Sequence, residues 1–198
     1  MAKRPQDTKK RDALISLYHQ LRAVHINPEQ PFMVRGFNLR PFYVDGMCIS
    51  TSVEGLELVT ELMLGHLDGV DFDVVAAPSI SGIPYASVLA NKLKRRLVID
   101  RGLPSKYGLK RRIEGEIRKG DKVVIVDDIA KRGQTLVEVS EQVRERGGEI
   151  VKAIVVVDAT SAHEKKRLLE DRLDFEGVIT LEELGVNPNM QLDVKSQA

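Results

Sequence analysis

The stretch KVVIVDDIAKRGQTLVEVSEQVRERGGEIVKAIVVVD, residues 122–158, decides how the chain folds. Its first part, KVVIV, and its last, EIVKAIVVVD, are continuous apolar runs rich in β-branched residues, which is how parallel strands buried on both faces read. Between them TLVEVSEQVRER has helical spacing, and Gly147 with Gly148 follows it as glycine follows a helix terminus. Asp127 and Asp128 stand at the end of the first strand, and AKRGQT leads from them straight into the helix. In an open α/β sheet, ligands bind beyond the carboxyl ends of the strands. Backbone N–H groups around Lys131 to Thr135 would point outward there, with the positive end of the helix dipole behind them. Gly133 lets the backbone turn tightly, Thr135 adds a hydroxyl donor, and the two carboxylates can accept hydrogen bonds from the vicinal hydroxyls of a sugar. The loop therefore reads as a grip on a phosphate, with the acids holding a ribose attached to it. The plainer alternative is that the acids and Thr135 only cap a helix.

Outward from this unit the same alternation continues. FDVVAA and RLVI read as strands, with the helix IPYASVLANKL between them. Towards the amino terminus, residues 11–24 space Leu14, Leu17, Tyr18, Leu21 and Val24 as one helical stripe, and SVEGLELVTELMLGHL repeats that spacing. FMVRGFNLRPFYVDGM, between these helices, reads as short strands and turns. The class is α/β: a mainly parallel twisted sheet with helices on both faces. Residues 101–119, RGLPSKYGLKRRIEGEIRK, have no stable period, and so long a loop in a compact domain is functional or mobile. The polar tail after Gly185 is expected to be loosely held.

At 198 residues, 42% of them hydrophobic and 30% charged, the chain suits one well-filled domain. Thirty Lys and Arg against 29 Asp and Glu leave a formal charge of +1, so nothing in the overall field argues for nucleic acid or a membrane, and any anion site must be local. The polar, basic start MAKRPQDTKKRD leads into no apolar stretch of signal-peptide or membrane-span length. A single cysteine, Cys48, forms no internal disulfide, and no CxxC or HExxH spacing marks a metal or redox site, so a cytoplasmic setting is expected. Cys48 reads as a small core residue, and His19, His25, His66 and His163 as surface or packing residues.

VVIVDDIAKRGQT resembles the thirteen-residue phosphoribosyl-pyrophosphate motif of type I phosphoribosyltransferases. PFYVD, VVAAPSISGIPYASVLANKL, IEGEIRKGDKVVIVDD, RERGGEIVKAIVVVD and GVITLEELG are similar, in that order, to segments of the orotate phosphoribosyltransferases across nearly the whole chain. The resemblance implies transfer of ribose 5-phosphate from phosphoribosyl pyrophosphate (PRPP) to a nucleobase nitrogen, with Mg²⁺ held mainly through the substrate's own oxygens. It also implies a homodimer that shares a mobile loop across its interface. The domain would span 1–198, with a small hood from about 1–45 and the C-terminal segment over a core at about 50–160. By the same resemblance Asp127 and Asp128 orient the ribose hydroxyls. Ala130, Lys131, Arg132, Gly133, Gln134 and Thr135 hold the 5′-phosphate, and Ser79, Ile80, Ser81 and Gly82 form a pyrophosphate loop. Arg101 meets the pyrophosphate, and Lys106 or Lys110 closes over it as the catalytic lysine. Arg35, Phe42, Tyr43, Lys131 and Ala159 surround the base, although Tyr43 reads equally well as an aromatic core residue.

The chain departs from that pattern where the family does its chemistry. The mobile loop reads RGLPSKYG in place of RKExKxHG, so Gly102, Ser105 and Tyr107 stand where two lysines and a histidine would be. The family has a lysine where Arg35 sits, a threonine where Lys131 sits, and an orotate-binding arginine where this chain has Ala159. A ring carboxylate without that arginine forgoes a charge-assisted pair of roughly 1.5–3 kcal/mol, unless Lys131 or Arg35 replaces it. Two further readings stay open: transfer to another base such as a purine, or a non-catalytic PRPP-binding regulator.

Overall fold

The computed structural model describes residues 5–34, 38–78, 80–104, 106, 108–188 and 190. A long helix, α1 (Pro5–Gln20), leads into two antiparallel ribbons. β1 (Val24–Ile26) pairs with β4 (Phe42–Val44), and β2 (Phe32–Val34) pairs with β3 (Asn38–Arg40). The short α2 (Gly46–Ser50) and α3 (Val53–His66) follow, each capped at its start by a side chain, Asp45 and Ser52 respectively. Then come β5 (Val74–Ala77), α4 (Ile83–Leu93), β6 (Arg96–Asp100), β7 (Ile113–Glu114), β8 (Lys122–Ala130), α5 (Gln134–Glu145), β9 (Glu149–Asp158), α6 (Ala162–Glu170) and β10 (Phe175–Thr180). A 3₁₀ turn at Glu182–Leu184 closes the succession.

The central sheet has six strands in the order β10-β9-β8-β5-β6-β7, all parallel except the short β7 at one edge. Alternation along each strand divides the core into two layers. Val75, Ala77, Val124, Val126, Ile154 and Val156 face α1, α3 and α4. Val74, Ala76, Val123, Ile125, Ala153 and Val155 face Leu136, Val139 and Val143 of α5 and Leu168 of α6. Both faces are apolar because both are covered, which is why these strands read as unbroken hydrophobic runs.

Several expectations change in detail. The first helix stops at Gln20, because Arg22 adopts a left-handed backbone (φ 52°), and Val24 opens a strand. The strand carrying the acids continues to Ala130, since Asp127, Ile129 and Ala130 still pair with Val155, Val157 and Asp158. The long segment at 101–119 contains β7, which turns back antiparallel on β6. Past Gly185 the chain is still anchored: Val186 is buried, and its N–H donates to the Leu181 carbonyl. Cys48, on α2, is half-buried and packs against the edge of the core, with its thiol donating to Asp45 at 3.0 Å. That hydrogen bond, together with burial and the Asp45 charge, raises its pKa.

Candidate active site

Asp127 and Asp128 lie at a break in the sheet. β8 pairs with β5 only as far as Ile125, opposite Ala76, yet it keeps pairing with β9 to Ala130. Beyond this point the chain leaves β5 for β6 on one side and leaves β8 for β9 on the other, so a crevice opens between the two outgoing loops. A cavity of about 820 Å³ occupies it, lined by both acids, Ser81, residues 129–136 and, from distant segments, Arg40, Tyr43 and Arg167.

Close backbone approach holds the two loops together. A Cβ on Gly82 would lie 2.8 Å from the Val126 carbonyl oxygen and 3.0 Å from Asp127 Oδ1, so only glycine lets the start of α4 sit against the end of β8. Gly133 adopts φ +68°, and a Cβ there would fall 2.6 Å from Leu168 Cδ2. It leads into the first turn of α5, which has no side-chain cap, so the positive end of that helix's dipole opens on the cavity.

The acids differ in setting. Asp127 is buried, and its Oδ1 accepts the Asp128 N–H at 2.9 Å. Asp128 packs its carboxylate against Gly46, where a Cβ would collide with Oδ2, and accepts a hydrogen bond from Ser81. Burial pushes the Asp128 pKa up, and the hydrogen bonds from Ser81 and the adjoining acid only partly offset it.

On the opposite wall, Lys131 Nζ lies 5.8 Å from the ring centroids of both Phe42 and Tyr43. Burial lowers its pKa against the attraction of Asp128, and the neighbouring Arg40 charge lowers it further. Neither cation forms an ion pair with a described residue. Phe42 is buried, whereas Tyr43 is 39% exposed and stacks at a tilt against His25 and Phe32. Tyr43 is thus a cavity wall as well as part of an aromatic cluster.

Of the residues the sequence singles out, the fold gathers Ser81, Asp127, Asp128, Lys131 and the loop through Thr135 around one cavity. Others stand apart from it. Ile80 is 75% exposed, and Ala159 packs at the margin of the core with its N–H bonded to the Ala130 carbonyl. Arg101 pairs with Glu114 across the β6–β7 turn at 3.3 Å, and Lys106 and Lys110 are exposed. Arg35, Ser79, Ser105 and Tyr107 lie outside the described residues. Arg40 and Arg167 were not legible as site residues. Arg40 carries only the weak signal of a basic residue three places before Tyr43, and Arg167 carries none.

Residues 54–184 match the family model of the phosphoribosyl transferase domain. The chain is 30% identical over 175 residues to the orotate phosphoribosyltransferase of Methanocaldococcus jannaschii, covering 88% of this chain and 97% of that one. It is 37% identical over 143 residues to the Methanopyrus kandleri orotate phosphoribosyltransferase, covering 72% and 76% respectively. Among solved structures, Leishmania donovani UMP synthase superposes with a TM-score of 0.72 at 31% identity, over 87% of this chain and 36% of that one. A crevice at the strand reversal, paired acids, an uncapped helix start and these likenesses agree: the chain belongs to the type I phosphoribosyltransferase family and within it is most like the orotate phosphoribosyltransferases.

Proposed function

We propose that the protein transfers ribose 5-phosphate from PRPP to orotate, giving orotidine 5′-monophosphate and pyrophosphate. The observation that carries this reading is the sharing of one cavity by the acid pair, the uncapped start of α5 and the two cations Lys131 and Arg40. The first two match a phosphorylated ribose. The cations beside aromatic walls match a flat, negatively charged ring, and they supply from β3 and the phosphate loop the positive charge that the family draws from the position of Ala159.

In this reading Asp127 and Asp128 accept hydrogen bonds from the ribose hydroxyls, and the amides at 131–135 donate to the 5′-phosphate. The bond from C1′ to the pyrophosphate oxygen breaks, its electron pair leaving with pyrophosphate, while the ring nitrogen of orotate bonds to C1′ and its N–H proton passes to the departing pyrophosphate or to solvent water. Positive charge develops on the ribose as the anion departs, so fixed charges and exclusion of water serve this reaction better than a strong base. Among the described residues no three His, Cys, Asp or Glu side chains converge, and the residues around the acid pair suit an Mg²⁺ ion that would take most of its ligands from substrate and water. When bound, that ion neutralises pyrophosphate charge. Lys106 and Lys110, on the exposed loop, are the side chains that would close over the pyrophosphate.

The same reading makes the protein a cytoplasmic homodimer, with Leu103 and Leu109, 78% and 75% exposed on that loop, as apolar side chains for a neighbouring subunit to cover. No helix among the described residues is long and apolar enough to cross a membrane.

The test is pyrophosphate release from PRPP and Mg²⁺ with a panel of bases. Turnover with orotate and none with adenine or hypoxanthine is expected, and Arg40→Met should raise the orotate KM about tenfold, the effect of losing one charge-assisted hydrogen bond, while leaving the PRPP KM unchanged. Turnover confined to purines would replace the substrate. Calorimetric binding of PRPP with no turnover of any base would make the protein a regulator.

A further inference from the structure

Arg167 lies on α6, yet it lines the cavity and donates from Nη2 to the carbonyl oxygen of Arg132 in the phosphate loop, 35 residues earlier in the chain. Every peptide bond among the described residues is trans, so the Arg132 carbonyl and the Gly133 N–H point in opposite directions. A guanidinium that draws the carbonyl towards α6 therefore turns the Gly133 N–H away from α6 and towards the anion seat. The next residue on α6 acts on the same bend. Leu168 fills the space that a Cβ on Gly133 would occupy, 2.6 Å from its Cδ2.

The platform behind these contacts is firm. α6 starts with a capping box between Ser161 and Glu164, Lys165 is ion-paired with Asp158 at 2.7 Å, and Leu168 is fully buried. Asp158 ends β9 directly opposite Ala130, so the helix is tied to the strand next to the one bearing the acids. The arrangement also has a cost. Arg167 Nε is buried with no hydrogen-bond partner among the described residues, a penalty that packing alone would favour removing.

We propose that Arg167 is a positioning residue for the 5′-phosphate: it sets the 132–133 peptide so that the Gly133 amide faces the phosphate, and it places a fixed positive charge beside that anion. This rests on reading the loop as the PRPP phosphate seat. In this role the side chain acts through the loop, by its bond to the Arg132 carbonyl.

The test compares Arg167→Met and Arg167→Lys with the unaltered protein, varying PRPP and orotate separately and measuring PRPP affinity directly by calorimetry with Mg²⁺. The methionine variant should raise the PRPP KM and dissociation constant roughly tenfold to a hundredfold, as loss of a charged hydrogen-bonding group does. The orotate KM should stay within about twofold and kcat within about threefold, a split that general loosening of the fold would not produce. Lysine, which keeps the charge and loses the planar fork, should recover part of the affinity. If the methionine variant does not fold, the lysine variant carries the test, with an expected weakening of about threefold to tenfold. PRPP affinity unchanged in a folded variant, or PRPP and orotate KM rising together, overturns the role of Arg167. Unaltered protein that binds no PRPP overturns this inference together with the reading it rests on.

Discussion

Lys131 is held in an environment that works against its own charge. Burial against Phe42 and Tyr43 lowers its pKa below the ordinary 10.5, Asp128 pulls the other way, and Arg40 adds repulsion. Because the folded pKa is depressed, the cost of keeping the ammonium ion buried is fully present below that value and is relieved as pH rises towards the unfolded one. Base binding runs in the opposite sense, since only the charged lysine attracts a carboxylate. The orotate KM should therefore climb on an alkaline limb that begins below the usual lysine range, with the PRPP KM flatter over the same interval. Lys131→Arg should move that limb out of reach, because arginine stays protonated. A pH profile of both KM values checks this, and identical limbs in the two proteins would remove Lys131 from the base site. The residue's position next to Gly133 was legible in the loop sequence. Its aromatic surroundings came only through the family resemblance and not from local pattern, because Phe42 and Tyr43 reach it from a ribbon nearly ninety residues away.

At the scale of elements, the long loop after β6 is tied at its base. Asp100, with only 3% of its side chain exposed, accepts two hydrogen bonds from Arg112 at 2.9 Å each and one from the Gly102 amide at 2.8 Å. The Arg101 N–H meanwhile donates to the Arg112 carbonyl. The bond to Asp100 is the main cause that raises the Arg112 pKa, burial acting against it. The described residues of the loop from Leu103 to Arg111, Lys106 and Lys110 among them, are thus exposed, but the loop is fixed where it leaves the sheet. Arg112→Leu should cost about 3 kcal/mol in urea melts, since it strands a buried carboxylate, and adding Asp100→Asn should recover most of that loss. A loss below about 1 kcal/mol would show that the pair does not hold the loop. A helix such as α4 was readable end to end from its apolar spacing, because a helical stripe is a local property. The two-residue β7 was not, because it exists only where β6 offers it an edge.

Across the whole molecule, α1 and the 3₁₀ turn at Glu182–Leu184 close on each other. Arg11 of α1 donates to both oxygens of Glu183 at 2.6 and 2.8 Å, spanning 172 positions of sequence. Burial by itself would raise the Glu183 pKa, but the Thr180 amide and the Arg11 guanidinium outweigh it and hold it below the usual value. A depressed folded pKa makes this contribution present above the unfolded value near 4.5 and lost as pH falls through the folded one. Glu183→Gln should accordingly lower stability by about 1 kcal/mol at pH 7, discounted for an acid 37% exposed, and by less at pH 3, below the unfolded value. Thermal melts at the two pH values decide it, and an equal loss at both would mean that the effect is packing and not charge.

The sequence by itself determined the buried strands, the helices between them, and the loop that joins paired acids to a helix start, because each is set by periodicity and backbone chemistry within a dozen residues. Only the tertiary structure decided that Arg40 and Arg167 join Lys131 around the cavity, that Arg101 turns to Glu114, and that β8 outlasts its pairing with β5. Those outcomes depend on strand order and on which helix face meets which loop. Such contacts are made between segments far apart in the chain, and local propensity carries no record of them.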